Sequence, residues 1–157
     1  MSGGKALVLD SNLLVLLVVG GADAGYIRKH KRLDAFTEAD FHLLLSVIDG
    51  FDRVIVTPNT LAETWSLATQ IAEPARSRIA QNFKHLVQHS DEQHRRSIQI
   101  IERDEFMRLG LTDSVMLTLN QEENTLLTAD LDLYLGGMRL GLDVRNFNHL
   151  REAAGTI

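Results

Sequence analysis

Short apolar runs alternate along the chain with longer segments in which apolar residues recur at helical spacing. Ala6 to Leu9 is a continuous apolar run of strand length, typical of a strand buried on both faces of a parallel sheet. Parallel strands need crossover connections, and the helical segments between the runs provide them. The pattern therefore predicts an α/β fold, a three-layer α/β/α sandwich with helices on both faces of a central, mostly parallel sheet.

The predicted strands are short and widely separated in the sequence. They are expected at Ala6 to Leu9, Arg53 to Val56, Thr125 to Thr128 and Leu142 to Val144. Ser97 to Ile101 is ambiguous, but it fits a third strand in chain order. Helices are predicted between these runs: from Asn12 to Val19, from Thr37 to just before Gly50, from Pro58 to about Ile71, around Ile79 to Val87, from about Phe106 to Leu109 with Gly110 closing it, from the Thr112 cap to about Gln121, and from the residues after Thr128 to Gly136-Gly137 or Gly141.

Residues at the ends of these helices carry start and stop signals. Thr37 and Asp40 occupy the two positions of a capping box. Thr57 is a favourable N-cap, and the following Pro58 is tolerated at the first helical position because its missing N–H would have no partner there. Gly20-Gly21 is predicted to end the first helix.

Composition narrows the class of protein. A chain of 157 residues is the size of one domain, so residues 1–157 are predicted to form a single unit. No cysteine is present, which excludes disulfides, thiolate zinc sites and a cysteine nucleophile. The apolar run from Leu13 to Val19 is too short to cross a bilayer, so no membrane partner and a cytoplasmic location are expected. The formal charge of −5 does not suit a protein that coats nucleic acid, but carboxylates gathered around a metal are compatible with it.

Acidic residues stand where predicted strands and helices meet. Asp10 follows the first strand directly, and Asp130 comes two residues after Thr128, the end of a later strand. Asp113 lies at the start of a predicted helix, and Glu63 lies in the second turn of the helix that leaves the second strand. In open parallel sheets, sites form beyond the carboxyl ends of the strands, so we expect these four carboxylates on one rim.

Two interpretations of the acids are open from the pattern alone. Aspartates after a strand or at a helix start are favoured as caps and need no chemistry. Four converging carboxylates would repel one another, however, and a hard divalent cation with oxygen ligands relieves that repulsion. Such a cation, Mg²⁺ or Mn²⁺, activates water and stabilises the charge that develops in phosphodiester cleavage.

Four segments, in sequence order, resemble the motifs of the PIN-domain nucleases. They are Leu7 to Leu14, Thr57 to Glu63, Leu109 to Ser114 and Leu126 to Leu133, and Arg145 to Phe147 is similar to the closing strand of that family. The resemblance covers nearly the whole chain. It implies a PIN-like fold and a divalent-metal-dependent endoribonuclease that hydrolyses RNA phosphodiester bonds.

The resemblance also implies a role for each site residue. Asn12 and Thr128 would orient ligands or water around the metal. Asp132 would be an accessory acid. The metal ligands, which are also the catalytic residues, would be Asp10, Glu63, Asp113 and Asp130.

Many PIN-domain proteins are VapC-like toxins that cleave RNA and are silenced by a cognate antitoxin protein. The resemblance therefore implies an RNA substrate, an antitoxin partner and a homodimer. This chain departs from the compact toxins between Gly20 and Gly50, where it is longer and carries a basic run. That run either contacts phosphates beside the metal site or is a solvated surface segment. Its basic residues are Arg28, Lys29, Lys31 and Arg32, on either side of His30.

Two further pairs of residues fit either function or structure. His85 and His89 have a helical spacing that suits zinc, although no acid-histidine signature accompanies them. Trp65 and Phe83 could stack on bases, but their spacing with aliphatic neighbours favours a place in the core.

The sequence also bears on other functions that an α/β chain of this size could have. A PIN-like module that binds RNA or a protein without cleaving is the main alternative. A receiver domain would need a lysine late in the chain, and no lysine follows Lys84. A haloacid-dehalogenase-like phosphatase would need Asp-x-Asp after the first strand, where this chain has Asp10-Ser11-Asn12.

Overall fold

Five parallel strands form the centre of the computed structural model, which describes residues 4–157. The strands are β1 (Ala6–Leu9), β2 (Arg53–Val56), β3 (Asp91–Glu92), β4 (Thr125–Thr128) and β5 (Val144–Asn146). Their order across the sheet is β3-β2-β1-β4-β5, so β1 is central. The predicted three-layer α/β/α sandwich is confirmed.

Nine α-helices and two 3₁₀ helices connect and cover the strands of the described chain. The 3₁₀ helices span Ala24–Lys29 and Lys31–Leu33. The α-helices are α1 (Ser11–Ala22), α2 (Glu38–Ile48), α3 (Pro58–Ala68), α4 (Ala75–His89), α5 (Ser97–Ile100), α6 (Phe106–Leu109), α7 (Leu111–Asn120), α8 (Leu131–Arg139) and α9 (Phe147–Ala154).

The side chains of β1 alternate between two separate cores, as the two-residue period of a strand requires. Leu7 and Leu9 pack with α1, α2, α3 and α4 on one face of the sheet. Ala6 and Val8 pack with α7 and α8 on the other face. All four residues are buried, which explains why β1 reads in the sequence as an unbroken apolar run.

The register of the central strands aligns the ends of β1 and β4. Leu9 pairs with Leu127, and the backbone N–H of Asp10 donates to the carbonyl of Leu127 at 3.3 Å. The residues that follow the two strands therefore leave the sheet side by side. This register brings Asp10 and the segment after Thr128 to the same carboxyl edge.

The capping box predicted at Thr37 is confirmed, and the N-cap predicted at Thr57 is also part of a capping box. The side chain of Thr37 accepts from the N–H of Asp40, and the Asp40 carboxylate accepts from the N–H of Thr37. Thr57 and Thr60 exchange the same pair of bonds at the start of α3. Each box satisfies backbone donors that have no partner within the helix.

Neither glycine pair ends a helix, but Gly141, the other end predicted for the later helix, follows the C-cap of α8 with a positive φ of 69°. Helix α1 continues through Gly20 and Gly21 to Ala22, and α8 continues through Gly136 and Gly137 to Arg139. A Cβ on Gly20 would lie 2.4 Å from the ring of Phe41, and one on Gly137 would lie 2.9 Å from the side chain of Val144. These glycines allow close packing inside a helix rather than a turn at its end.

Three other boundaries differ from the prediction. Ser97 to Ile100 is one helical turn, and the third strand is the two-residue β3, which has no apolar run to reveal it. Thr112 does not cap α7, because that helix begins one residue earlier, after Gly110 with its positive φ of 84°. The last strand begins at Val144, two residues later than expected.

None of the helices within residues 4–157 is both long enough and apolar enough to span a bilayer.

Candidate functional site

A polar cavity of about 220 Å³ opens at the carboxyl end of β1 and β4. Its walls come from the start of α1, the second turn of α3, the start of α7 and the residue before α8. All four acids predicted to be metal ligands line this one cavity. The lining residues are Asp10, Ser11, Asn12, Glu63, Leu67, Asp113 and Asp130.

Asp10 is buried at the base of this cavity and is held by three donors. One carboxylate oxygen accepts from the N–H of Leu13 at 3.0 Å, which makes Asp10 the N-cap of α1. The other accepts from the N–H of Ala129 at 3.1 Å and from the hydroxyl of Thr128. Burial raises the pKa of the Asp10 carboxyl, the hydrogen bonds lower it and nearby Asp130 raises it, with a net upward shift.

Thr128 links the two acids that follow β1 and β4. Its hydroxyl donates to Asp10 and accepts from the backbone N–H of Asp130 at 2.9 Å. Because Thr128 is fully buried, both bonds are shielded from competing water. These contacts are the ones that an orienting role for Thr128 would require.

Asp130, the residue before α8, and Asp132, in the first turn of that helix, are both exposed. The Asp130 carboxylate accepts from the N–H of Leu133 at 3.2 Å, so Asp130 caps α8 as Asp10 caps α1. Asp10 and Asp130 therefore each cap a helix and also line the cavity. Asp132 does not line the cavity.

The pKa of Asp113 is raised by its surroundings in the cavity. Burial, followed by the negative charges of Asp130, Asp10, Glu63 and Asp132, raises its pKa from 3.8 to about 7. An aspartate in the first turn of a helix normally favours its charged form, so burial and the neighbouring acids together outweigh that preference. The four other acids thus all act on one carboxyl group.

Ser11 is a polar residue of the cavity that was not among the predicted site residues. Its hydroxyl oxygen is buried and has no hydrogen-bond partner among the described residues. The only sequence signal is its position directly after Asp10. Asn12, which was predicted to orient ligands, is exposed and lines the cavity.

The donor set of the cavity suits a hard divalent cation, since carboxylate oxygens are the ligands that Mg²⁺ and Mn²⁺ prefer. As the side chains stand, however, no three acidic or histidine residues within residues 4–157 are grouped closely enough to hold a metal ion directly. Mg²⁺ usually retains several waters and binds one or two carboxylates. The residues therefore fit a metal bound partly through water, or one that draws the carboxylates inward.

The predicted RNA-contacting residues lie outside the cavity, in the two 3₁₀ helices. All four of their side chains are exposed. Arg28 lies 3.6 Å from the Glu38 carboxylate, and Arg32 donates to the side chain of Gln70 at 2.9 Å. Lys29 and Lys31 form no salt bridge within residues 4–157.

His30, in the middle of this basic run, is buried and structural. Its Nε2 donates to the carbonyl of Ala68 at 2.9 Å, and its Nδ1 accepts from the N–H of Arg32 at 3.1 Å. The ring thereby attaches the run to the last residue of α3. Helix α3 also carries Glu63, so the basic run and one wall of the cavity are both attached to this helix.

The structure also places the two residue pairs for which the sequence allowed either a functional or a structural role. His85 and His89 stack with ring centroids 4.0 Å apart, and His89 bonds to the backbone of its own helix at 2.9 Å. Trp65 packs edge-on against Phe83 at 5.2 Å but remains 40% exposed. The expectation that Trp65 belongs to the core is therefore only partly correct.

In comparisons with models of known protein families and with functionally characterised proteins, the chain matches none of them. Its resemblance to PIN-domain nucleases therefore stays a prediction from the four motifs.

Proposed function

We propose that the protein is a divalent-metal-dependent endoribonuclease that hydrolyses RNA phosphodiester bonds. The observation that carries the proposal is the convergence of Asp10, Glu63, Asp113 and Asp130 on one cavity, although they come from four separate parts of the chain. The order and spacing of these acids also resemble those of PIN-domain nucleases.

Mg²⁺ or Mn²⁺ would be held by these four acids, with Asp132 as an accessory acid. When bound, the metal would supply an activated water and stabilise negative charge on the phosphate. The protein residues set the conditions for that chemistry. Thr128 and the N–H of Ala129 orient the Asp10 carboxylate, while burial keeps competing water from it.

The crowding at Asp113 gives a physical reason for metal binding. Burial and then the neighbouring acids raise the pKa of this carboxyl group to about 7, so its ionised form is both poorly solvated and repelled by the other carboxylates. A divalent cation among the acids replaces that repulsion with attraction. The site would bind metal more tightly as pH rises and Asp113 loses its proton.

RNA is the proposed substrate, and the exposed basic run around His30 is the proposed contact for its phosphates. An antitoxin partner, a homodimer and a cytoplasmic location belong to the same proposal and rest on the motif resemblance. Lys29 and Lys31 are the best placed for phosphate, since Arg28 and Arg32 already have partners in the chain.

A second candidate is a PIN-like module that binds RNA or a protein without cleaving. It is favoured by one observation, the absence of three suitably grouped ligand side chains in residues 4–157. The two candidates differ in a single property, cleavage in the presence of metal.

The test is cleavage of total RNA by the purified chain with Mg²⁺, with Mn²⁺ and with EDTA. Asp10→Asn removes the carboxylate charge but should preserve the start of α1, because asparagine also caps helices. We expect Asp10→Asn and Asp113→Asn each to lose about 10²-fold or more in rate. Asp49→Asn, at an exposed position on α2's end, is the matched control and should cleave like the parent. Equal cleavage by Asp10→Asn would reject the assignment, and metal binding without cleavage would favour the module.

A further inference from the structure

The cavity that holds the four acids has few groups that could bind a phosphate. Its lining residues within 4–157 include no lysine and no arginine. A phosphodiester bound there would face carboxylates, whose charge the proposed metal ion already has to balance. Its oxygens therefore need N–H or O–H donors, as in other sites of phosphoryl transfer. Apart from protonated carboxyl groups, the lining side chains that can donate are those of Ser11 and Asn12.

The backbone at the start of α1 adds donors at the same place. The first N–H groups of a helix have no partner within the helix itself. The N–H of Leu13 is satisfied by the Asp10 carboxylate at 3.0 Å. Those of Ser11 and Asn12 have no hydrogen-bond partner among residues 4–157. The positive end of the helix dipole lies here too, so the start of α1 favours an anionic oxygen.

The side chain of Ser11 is a second and independent sign of a ligand at this place. Ser11 is only 7% exposed, and its hydroxyl oxygen has no partner within the described chain. A buried hydroxyl without a hydrogen bond costs free energy in the folded protein. Because Ser11 also lines the cavity, a ligand oxygen bound there would supply the missing partner.

Two other hydroxyls among residues 4–157 are buried without partners, those of Thr64 and Ser114. Like Ser11, each directly follows an acid of the cavity in the sequence. Neither of them lines the cavity. They therefore provide a comparison within the same chain, a buried and unpaired hydroxyl that a ligand in the cavity does not reach.

We propose that the hydroxyl of Ser11 and the N–H of Asn12 bind a non-bridging oxygen of the scissile phosphate of the RNA. This inference rests on the proposed nuclease function and adds a substrate-binding residue to the four acids. A serine hydroxyl has three staggered positions about its Cα–Cβ bond, so it can turn to donate to an oxygen in the cavity. Consecutive residues would then contact the two partners of the reaction, with Asp10 at the metal and Ser11 at the phosphate.

A substrate-binding role differs from a structural one in its effect on the metal-free protein. Since the Ser11 hydroxyl has no bond to lose, Ser11→Ala should be at least as stable as the parent in urea denaturation with EDTA. Ser114→Ala removes a hydroxyl of the same kind and should behave in the same way. A Ser11→Ala variant clearly less stable than the parent would overturn the proposal, because the hydroxyl would then have a partner inside the protein.

The direct test is the binding of inorganic phosphate to the Mg²⁺-loaded protein, followed by phosphorus nuclear magnetic resonance. Ser11→Ala should weaken phosphate binding by about tenfold, since a hydrogen bond to a charged oxygen is lost. Ser11→Thr keeps the hydroxyl and should bind phosphate like the parent. Ser114→Ala is the matched control and should also bind it like the parent. Affinity for Mn²⁺ alone, measured by electron paramagnetic resonance, should be the same in all four proteins.

The outcomes separate this inference from the proposed function. A parent that binds Mn²⁺ but no phosphate would overturn the inference and leave the metal site standing, as would phosphate binding unchanged in Ser11→Ala. Equal losses in Ser11→Ala and Ser11→Thr would also overturn it, since the hydroxyl would not be the cause. A parent that binds no metal at all would overturn the proposed function, and this inference with it.

Discussion

The hydroxyl of Thr128 donates a hydrogen bond to the carboxylate of Asp10, although 118 residues separate them in the chain. The bond joins the ends of β1 and β4, the two central strands that deliver acids to the cavity. Thr128 also accepts from the N–H of Asp130, so one side chain positions two of the proposed metal ligands. The site is thus organised by the sheet itself.

Thr128→Val should test that positioning role. Valine fills similar space but cannot donate to Asp10, so the buried carboxylate would lose one of its three donors. We expect a loss of about 1–3 kcal/mol in unfolding free energy and a lower affinity for Mn²⁺. Thr128→Ser keeps the hydroxyl and is the matched control in urea denaturation and metal titration. A valine variant as stable as the parent, with unchanged Mn²⁺ affinity, would contradict the role.

The pH dependence of stability should reveal the crowded acids. The pKa of Asp113 is raised from 3.8 to about 7, so between these values the folded chain holds a proton that the unfolded chain has released. Without metal, stability should therefore fall as pH rises through this window. Asp113→Asn should remove part of that slope, as measured by urea denaturation in EDTA from pH 4 to 8. A parent whose Asp113 contribution grew with pH would show that the crowding is absent.

The buried pair of Asp40 and Arg151 should have the opposite pH signature. Arg151 donates to both carboxylate oxygens of Asp40, at 2.9 and 3.0 Å, and connects α2 to α9. Burial alone raises the pKa of Asp40, but the bonds from Arg151 and Thr37 outweigh it and the net shift is downward. This stabilising contribution is present above pH 4 and is lost as pH falls through the lowered pKa.

Breaking that pair should be costly. Arg151→Met leaves the Asp40 carboxylate buried without its guanidinium, for a loss of about 3–5 kcal/mol in unfolding free energy. Arg145→Met, at an exposed arginine on β5, is the control and should change stability little. A loss below about 1 kcal/mol for Arg151→Met, the usual range of exposed pairs, would show that the pair is solvated in solution.

Substitutions in the basic run should affect RNA binding rather than chemistry. Replacing Lys29 and Lys31 together by alanine should weaken binding and reduce the salt dependence by about 1.4 in the log–log slope, since two phosphate contacts are lost. Binding is measured with the non-cleaving Asp10→Asn background at several salt concentrations. Lys84→Ala, at an exposed lysine on α4, should leave the slope unchanged. Equal slopes for all three proteins would place the RNA elsewhere.

The sequence predicts those parts of the fold in which one local signal dominates. Ala6 to Leu9 is buried on both faces and reads as a strand, and the helix caps at Thr37 and Thr57 depend on neighbouring residues alone. Gly20 was misread because its role depends on the ring of Phe41, which lies on another helix. A two-residue strand such as β3 has no periodicity to detect.

The same division holds in the candidate site. The four acids could be found because each follows a strand or lies near the start of a helix. The unpaired hydroxyl of Ser11 and the raised pKa of Asp113 could not be predicted, because both arise from the packing of distant segments.

The most direct test of the account is a titration of the metal-free protein with Mn²⁺, in which electron paramagnetic resonance measures the ion that remains free. The account predicts binding at the cavity that weakens by about tenfold or more in both Asp10→Asn and Asp113→Asn and is unchanged in Asp49→Asn. Parent protein that leaves all added Mn²⁺ free at millimolar concentrations, or binds it equally well without the Asp10 and Asp113 carboxylates, would contradict the proposed metal site.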